Sequence, residues 1–94
     1  MKISLGLIEG RHPMPIDRYL LPADITNRAG FHEGVYQAAR EAAKEFSPRD
    51  EVTLYLTGLT PAAIGAVLGF IDAGVVLTLA SFDSESKQYV LFTP

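Results

Sequence analysis

The chain has no cysteine, which excludes disulfides and thiolate sites and leaves the redox compartment open. Its only histidines are His12 and His32, and without cysteine they cannot complete a four-ligand zinc site unless carboxylates join them. Basic clusters are missing too. The eight Lys and Arg residues are scattered, never three in a row, and the net charge is -3 with a pI near 5.2. General nucleic-acid binding needs cations gathered to replace phosphate counterions, so the composition argues against it. The first apolar run is too short for a secretory h-region, which favours a cytoplasmic protein.

Signature motifs are absent as well. Neither GxxxxGK[ST] nor GxGxxG occurs, His32-Glu33 is not followed by the rest of HExxH, and no serine sits in GxSxG. One apolar stretch, 61–80, has the length of a bilayer span. Asp72 near its middle would cost roughly 2.5–3.5 kcal/mol there. Gly74 and the β-branched Val75-Val76 that follow read as the end of a helix and the start of a strand. No membrane span is expected.

What is present is a well-packed composition. The chain has 94 residues, 48% hydrophobic and 20% charged, which predicts one folded domain over 1–94 with a modest core. Residues 2–8 form a continuous apolar strand, with Gly6 marking a bulge or a close backbone approach. Residues 9–30 carry Gly10, Pro13, Pro15, Pro22 and Gly30 and read as a long irregular segment, within which 18–21 is a candidate short edge strand. A first helix spans 30–46, because Phe31, Val35, Ala38, Ala42 and Phe46 recur at helical spacing. Ser47-Pro48 ends it.

Residues 52–56 form the next strand. Thr60-Pro61 is a helix start, a hydroxyl cap followed by a proline whose missing N–H costs nothing. The second helix, 61–73, is apolar nearly all round, with Asp72 its only charge, and is expected to be buried on more than one side. Strands at 75–82 and 88–93 follow, joined by a turn at 84–87. The sum is a small Rossmann-like β-α-β-α-β-β domain with a mostly parallel sheet of about four strands and an antiparallel C-terminal edge. Two helices are few for two sheet faces. A partner is therefore expected at the apolar second helix, where the spacing of Gly65 and Gly69 admits another backbone, giving a homodimer.

Ligands of open α/β sheets gather outside the carboxyl ends of the strands. Those ends supply Arg11 and His12 after the first strand and Thr57, Gly58 and Thr60 before the second helix. Arginine can clamp an anion, histidine can carry a proton near neutral pH, and two hydroxyls beside a helix N-terminus suit a phosphate or carboxylate. The competing reading is plain: Thr60 caps, Gly58 turns, and Arg11 pairs with Glu9 at the surface. Asp83, Ser84 and Glu85 suit a hairpin turn alone. The four tyrosines, 19, 36, 55 and 89, are best explained by packing.

The run Leu54-Tyr55-Leu56-Thr57-Gly58-Leu59-Thr60, its apolar helix, the run from Leu77 to Asp83, and Tyr89 together resemble small bacterial and mobile-element proteins with no assigned activity. In layout the unit is also similar to the cyclic-oligonucleotide-sensing domains of the CRISPR-associated Rossmann-fold family. That resemblance implies that Thr57, Gly58 and Thr60 contact ligand phosphates at a dimer seam. The lysine often found near this turn is missing here, and Pro61 stands after Thr60.

The expectation is therefore a small cytoplasmic binding or interaction module. It holds a small anion or nucleotide at Arg11, His12, Thr57, Gly58 and Thr60, with no cofactor and no metal. One alternative is a metal-independent phosphodiesterase or nuclease using His12 as acid or base and Arg11 to stabilise charge. Another is a purely structural subunit of a homo-oligomer.

Overall fold

The computed structural model describes residues 1–8, 16, 18–21, 31–56 and 60–94. Within them the chain runs β1 (Lys2–Ile8), β2 (Arg18–Leu21), α1 (Phe31–Ala43), β3 (Glu51–Tyr55), α2 (Thr60–Asp72), β4 (Val76–Asp83) and β5 (Gln88–Phe92). The five strands form one sheet in the order β2-β1-β3-β4-β5. The first four are parallel, and β5 pairs antiparallel with β4. This is a small Rossmann-like α/β arrangement. The sheet has five strands rather than about four, because 18–21 is a full parallel member at one edge.

The register explains where the core lies. Leu5 is level with Leu54 and Leu54 with Leu79, while Ile3, Val52 and Leu77 form the row before. These side chains share one face, and Val35, Ala39, Ala62, Ala66 and Phe70 from the helices join them in the core. Phe70 is fully buried, as are Leu5 and Leu54. Both crossovers, β2 to β3 and β3 to β4, advance in the same direction along the sheet, so right-handedness puts both helices on this face.

The two helices pack tightly side by side. Gly65 and Gly69 are buried, and a Cβ built on Gly69 would lie 2.5 Å from the Tyr36 carbonyl oxygen and 2.8 Å from Ala39 Cβ. The backbone that Gly69 admits is thus that of α1 in the same chain. Phe46 completes the seam with its ring 6.3 Å from that of Phe70. Asp72, the lone charge of α2, accepts a hydrogen bond from the Tyr36 hydroxyl of α1.

Nor is α2 buried on all sides. Ile64, Leu68 and Ile71 are 52%, 50% and 45% exposed. They repeat at four and three residues, so they form a single outward stripe.

Local signals set the ends of the elements. α1 stops at Ala43, earlier than the apolar stripe suggests, because the next turn tightens to three-residue bonds. Lys44, Glu45 and Phe46 donate to the carbonyls of Glu41, Ala42 and Ala43 at 3.2, 3.1 and 3.1 Å. α2 ends in a Schellman motif: Gly74 N–H donates to Ile71 and Val75 N–H to Phe70, both at 3.0 Å. Gly74 adopts φ 79°, the left-handed conformation that this motif needs. The apolar stretch 61–80 is thereby divided into a helix and a strand, and no helix among the described residues is long and apolar enough to cross a membrane.

The opposite sheet face carries Gly6, Tyr55, Ala80 and Leu91 in one row, with Tyr19 level with Gly6. Gly6 is needed there. A Cβ on it would meet the Tyr19 ring at 2.6 Å and Ile16 Cδ1 at 2.9 Å, so the close approach that a strand glycine implies is made by an aromatic ring.

Candidate functional site at the strand carboxyl ends

Strand order decides where a ligand crevice can form. From β1 the chain moves to β2 on one side, then returns past β1 to β3 on the other. Between β1 and β3 the winding reverses. In doubly wound sheets that reversal opens the crevice in which ligands bind. Gly6 is level with Tyr55 in parallel register, so the carboxyl ends of β1 and β3 lie side by side. Arg11 and His12 follow β1 in the chain, Thr57 and Gly58 follow β3, and all four lie outside the described residues. Thr60 is the first residue of α2 and is exposed.

The N-terminal end of α2 lies at this same edge, because the helix follows β3 directly. The helix is thirteen residues long and carries no acidic residue in its first turn. Its positive end is thus not neutralised by its own side chains.

The hairpin beyond β4 is built for shape. The Asp83 carboxylate accepts a hydrogen bond from Glu85 N–H at 3.2 Å. Bonds from the Ser86 side chain and then from the Glu85 backbone hold its pKa below the ordinary value. Lys87 N–H closes the turn on the Asp83 carbonyl at 2.8 Å. Asp83 is committed to the turn, as its setting in the sequence suggests.

Elsewhere on the helix side, Arg18, Lys44 and Arg40 have partners among the described residues. A groove of about 590 Å³ runs between α1 and β2, bordered by Arg18, Glu41, Lys44 and Glu45. Arg18 pairs with Glu45 at 2.6 Å and Lys44 with Glu41 at 3.0 Å. Arg18 also stacks over Phe46, with 5.6 Å from Cζ to the ring centroid. Arg40 donates to the Tyr36 hydroxyl at 3.2 Å, next to Asp72. The Arg18 and Lys44 pairs are exposed, of a kind that contributes little to stability.

One grouping escaped the sequence reading. On the sheet face opposite the helices, Tyr89 meets Tyr55 edge-on at 4.9 Å between centroids and Phe82 at 5.4 Å. The Tyr89 hydroxyl is buried and has no hydrogen-bond partner among the described residues. Burial raises its pKa, with the Tyr55 and Tyr19 hydroxyls adding to the effect. A period of two places Tyr55 out of phase with Val52 and Leu54, which marks it as pointing away from the core. The pairing of β5 with β4, which brings Tyr89 over it, is a tertiary fact that no local pattern encodes.

Comparison with family models, with curated proteins and with solved structures gives no match.

Proposed function

We propose that the chain is a small binding module that takes a small anion or nucleotide at the carboxyl ends of β1 and β3. The observation that carries this reading is the reversal of winding between those two strands. The residue types at their ends fit the same chemistry. Arg11 supplies a planar two-pronged donor, His12 a second donor near neutral pH, and Thr57 and Thr60 supply hydroxyls, with Gly58 allowing close backbone approach. The unneutralised N-terminal end of α2 adds to the attraction.

A thermal-shift screen with inorganic phosphate, mononucleotides, cyclic dinucleotides and small carboxylates tests this, run in parallel on Arg11→Ala. A ligand at about 100 times its Kd adds roughly 2.7 kcal/mol. In a domain of this size that is a shift of many degrees. The expected result is stabilisation by at least one anion, lost in the variant. A screen without a shift, or a shift that Arg11→Ala leaves intact, defeats the reading.

A second reading is that of a protein-interaction module that self-associates through α2. It is favoured by the exposed stripe Ile64, Leu68 and Ile71, apolar surface that a lone chain leaves in water. Leu68→Glu places a charge in the stripe without touching the core. Loss of self-association in that variant is the expected result.

A further inference from the structure

The sheet face opposite the helices changes character along the strands. Toward their amino ends it carries the hydroxyls of Ser4, Thr53 and Thr78 in one row. Toward their carboxyl ends it carries aromatic rings. Tyr19 and Tyr55 flank Gly6 in one row, and Phe82 and Tyr89 pair in the next. Among the described residues, these two rows contain no charge: Gly6, Ala80 and Leu91 complete the first, Ile8 and Leu21 the second.

Small residues let the rings converge. Ala80 stands between Tyr55 and Leu91 in register and is fully buried. A methyl group at that position leaves room for Tyr89 to lean from β5 across β4, until its ring meets that of Tyr55 at 4.9 Å between centroids. On β1, Gly6 leaves room for the Tyr19 ring, whose Cδ1 lies 2.6 Å from where a Cβ would stand. Burial first, and then the Tyr55 and Tyr19 hydroxyls, raise the Tyr89 pKa, which places the three phenols in one neighbourhood. Three strands thus send a phenol toward the pair β1 and β3, between which the winding reverses.

The Tyr89 hydroxyl is buried without a hydrogen-bond partner among the described residues. Leaving such a group unpaired is costly. Phenylalanine would keep both ring contacts of Tyr89 and avoid that cost. An orphaned donor in a folded chain calls for a partner from outside it.

We propose that this tyrosine cluster receives the base of a nucleotide whose phosphate lies at the carboxyl ends of β1 and β3. The proposal rests on the anion reading above and names the ligand class for that same site. Chemistry favours a base over other groups. Rows without a cation give a phosphate or carboxylate no counterion, so the group they take is neutral. Aromatic rings favour a planar partner. A phenol both donates and accepts, which suits the ring nitrogens, carbonyls and amino groups along the edge of a base. Continuity puts base and phosphate in one molecule. Tyr55 is the last residue of β3, so the cluster borders the strand end at which the phosphate is held. Tyr19 and Tyr55 are half-buried, and a turn of their side chains opens the Tyr89 hydroxyl to the base.

Calorimetric titration of the full chain tests this. The probes are inorganic phosphate, ribose 5-phosphate and the four nucleoside 5′-monophosphates, each with the wild type and with Tyr89→Phe, whose melting curve checks that it folds. The expected result is that at least one nucleotide binds about tenfold or more tightly than ribose 5-phosphate. Tyr89→Phe should weaken that nucleotide by about three- to tenfold and leave ribose 5-phosphate unchanged. A nucleotide that binds no better than ribose 5-phosphate, or whose affinity Tyr89→Phe leaves intact, overturns the base site and leaves the anion reading standing. Equal weakening of ribose 5-phosphate marks Tyr89 as structural and overturns the base site as well. Binding of none of the probes overturns both.

Discussion

Gly69 of α2 lies directly beneath the backbone of Tyr36 in α1, with 2.5 Å between its ideal Cβ position and the Tyr36 carbonyl oxygen. A backbone atom cannot swing aside as a side chain can, so Gly69→Ala must push the helices apart. Overpacking of this kind costs about 1–3 kcal/mol, which outweighs the helix propensity that alanine adds. Gly34 of α1 is the matched control. It is exposed with nothing within 4 Å of its Cβ position, and Gly34→Ala is expected to stabilise by about 0.5–1 kcal/mol. Urea unfolding of the two variants should move the midpoint in opposite directions; a shared sign would refute the contact.

Tyr89→Phe is expected to stabilise the chain. The variant keeps the ring contacts with Tyr55 and Phe82 and removes a buried hydroxyl that has no partner among the described residues. An unsatisfied buried polar group costs about 1–3 kcal/mol. Relief of about 1 kcal/mol raises Tm by about 4–8 °C in a domain this small. The pH profile gives a second readout. The Tyr89 pKa is raised in the fold, so the unfolded chain loses its proton first, and stability falls as pH climbs through about 10. Tyr89→Phe should reduce that alkaline loss.

Acid acts through a different set of groups. Glu45 is held below its ordinary pKa by the hydrogen bond from Arg18, Asp50 by the backbone N–H of Ser47, and Asp83 by the Ser86 side chain. A lowered carboxylate pKa means that the unfolded chain binds protons first as pH falls. The stability these groups contribute is therefore complete above about pH 4–5 and lost below it, through their folded values. Thermal melts from pH 7 to pH 2 should show a falling Tm only at the acid end. Asp83→Asn should flatten part of that fall, and an unchanged slope would remove Asp83 from the account.

Two residues test the left-handed backbone from opposite sides. Lys87 sits at φ 60° and Gly74 at φ 79°. A side chain in this region costs about 1–2 kcal/mol, so Lys87→Gly should gain up to about 1 kcal/mol once the greater freedom of unfolded glycine is subtracted. Gly74→Ala should lose about 1 kcal/mol through the backbone alone, since its Cβ position is open. Calorimetric Tm values of the two variants must therefore lie on opposite sides of the wild type.

Much of the fold was legible in the sequence. The strand 2–8 and the short edge 18–21 have the bounds that their apolar runs suggest, and the Thr60-Pro61 start and Gly74 stop of α2 follow from capping chemistry. The failures share one cause. Gly69 announces that a backbone comes close, but a small residue does not say whose, and α1 of the same chain is the answer. Apolar composition likewise did not separate the core face of α2 from the stripe left outside. Of the candidate site, Thr60 lies at a helix start as read. Arg11, His12, Thr57 and Gly58 lie outside the described residues. What no local pattern could supply was the strand order that brings the two segments bearing them to neighbouring strands, because β2 and β3 find β1 only through long-range pairing.

The position of β1 between β2 and β3 also sets an order of events in folding. Its pairing with β3 must close a loop of roughly forty residues, from Ile8 to Glu51. The hairpin of β4 and β5 closes over the few residues of one turn, and β3 reaches β4 across a single helix. Local closure is fast and distant closure slow. The stretch from Glu51 to Phe92 is thus placed to assemble first and to offer β3 as a ready edge, onto which Lys2–Ile8 docks, with Arg18–Leu21 beside it. Pulse-labelled hydrogen exchange during refolding would register that sequence as protection of β4 and β5 ahead of β1.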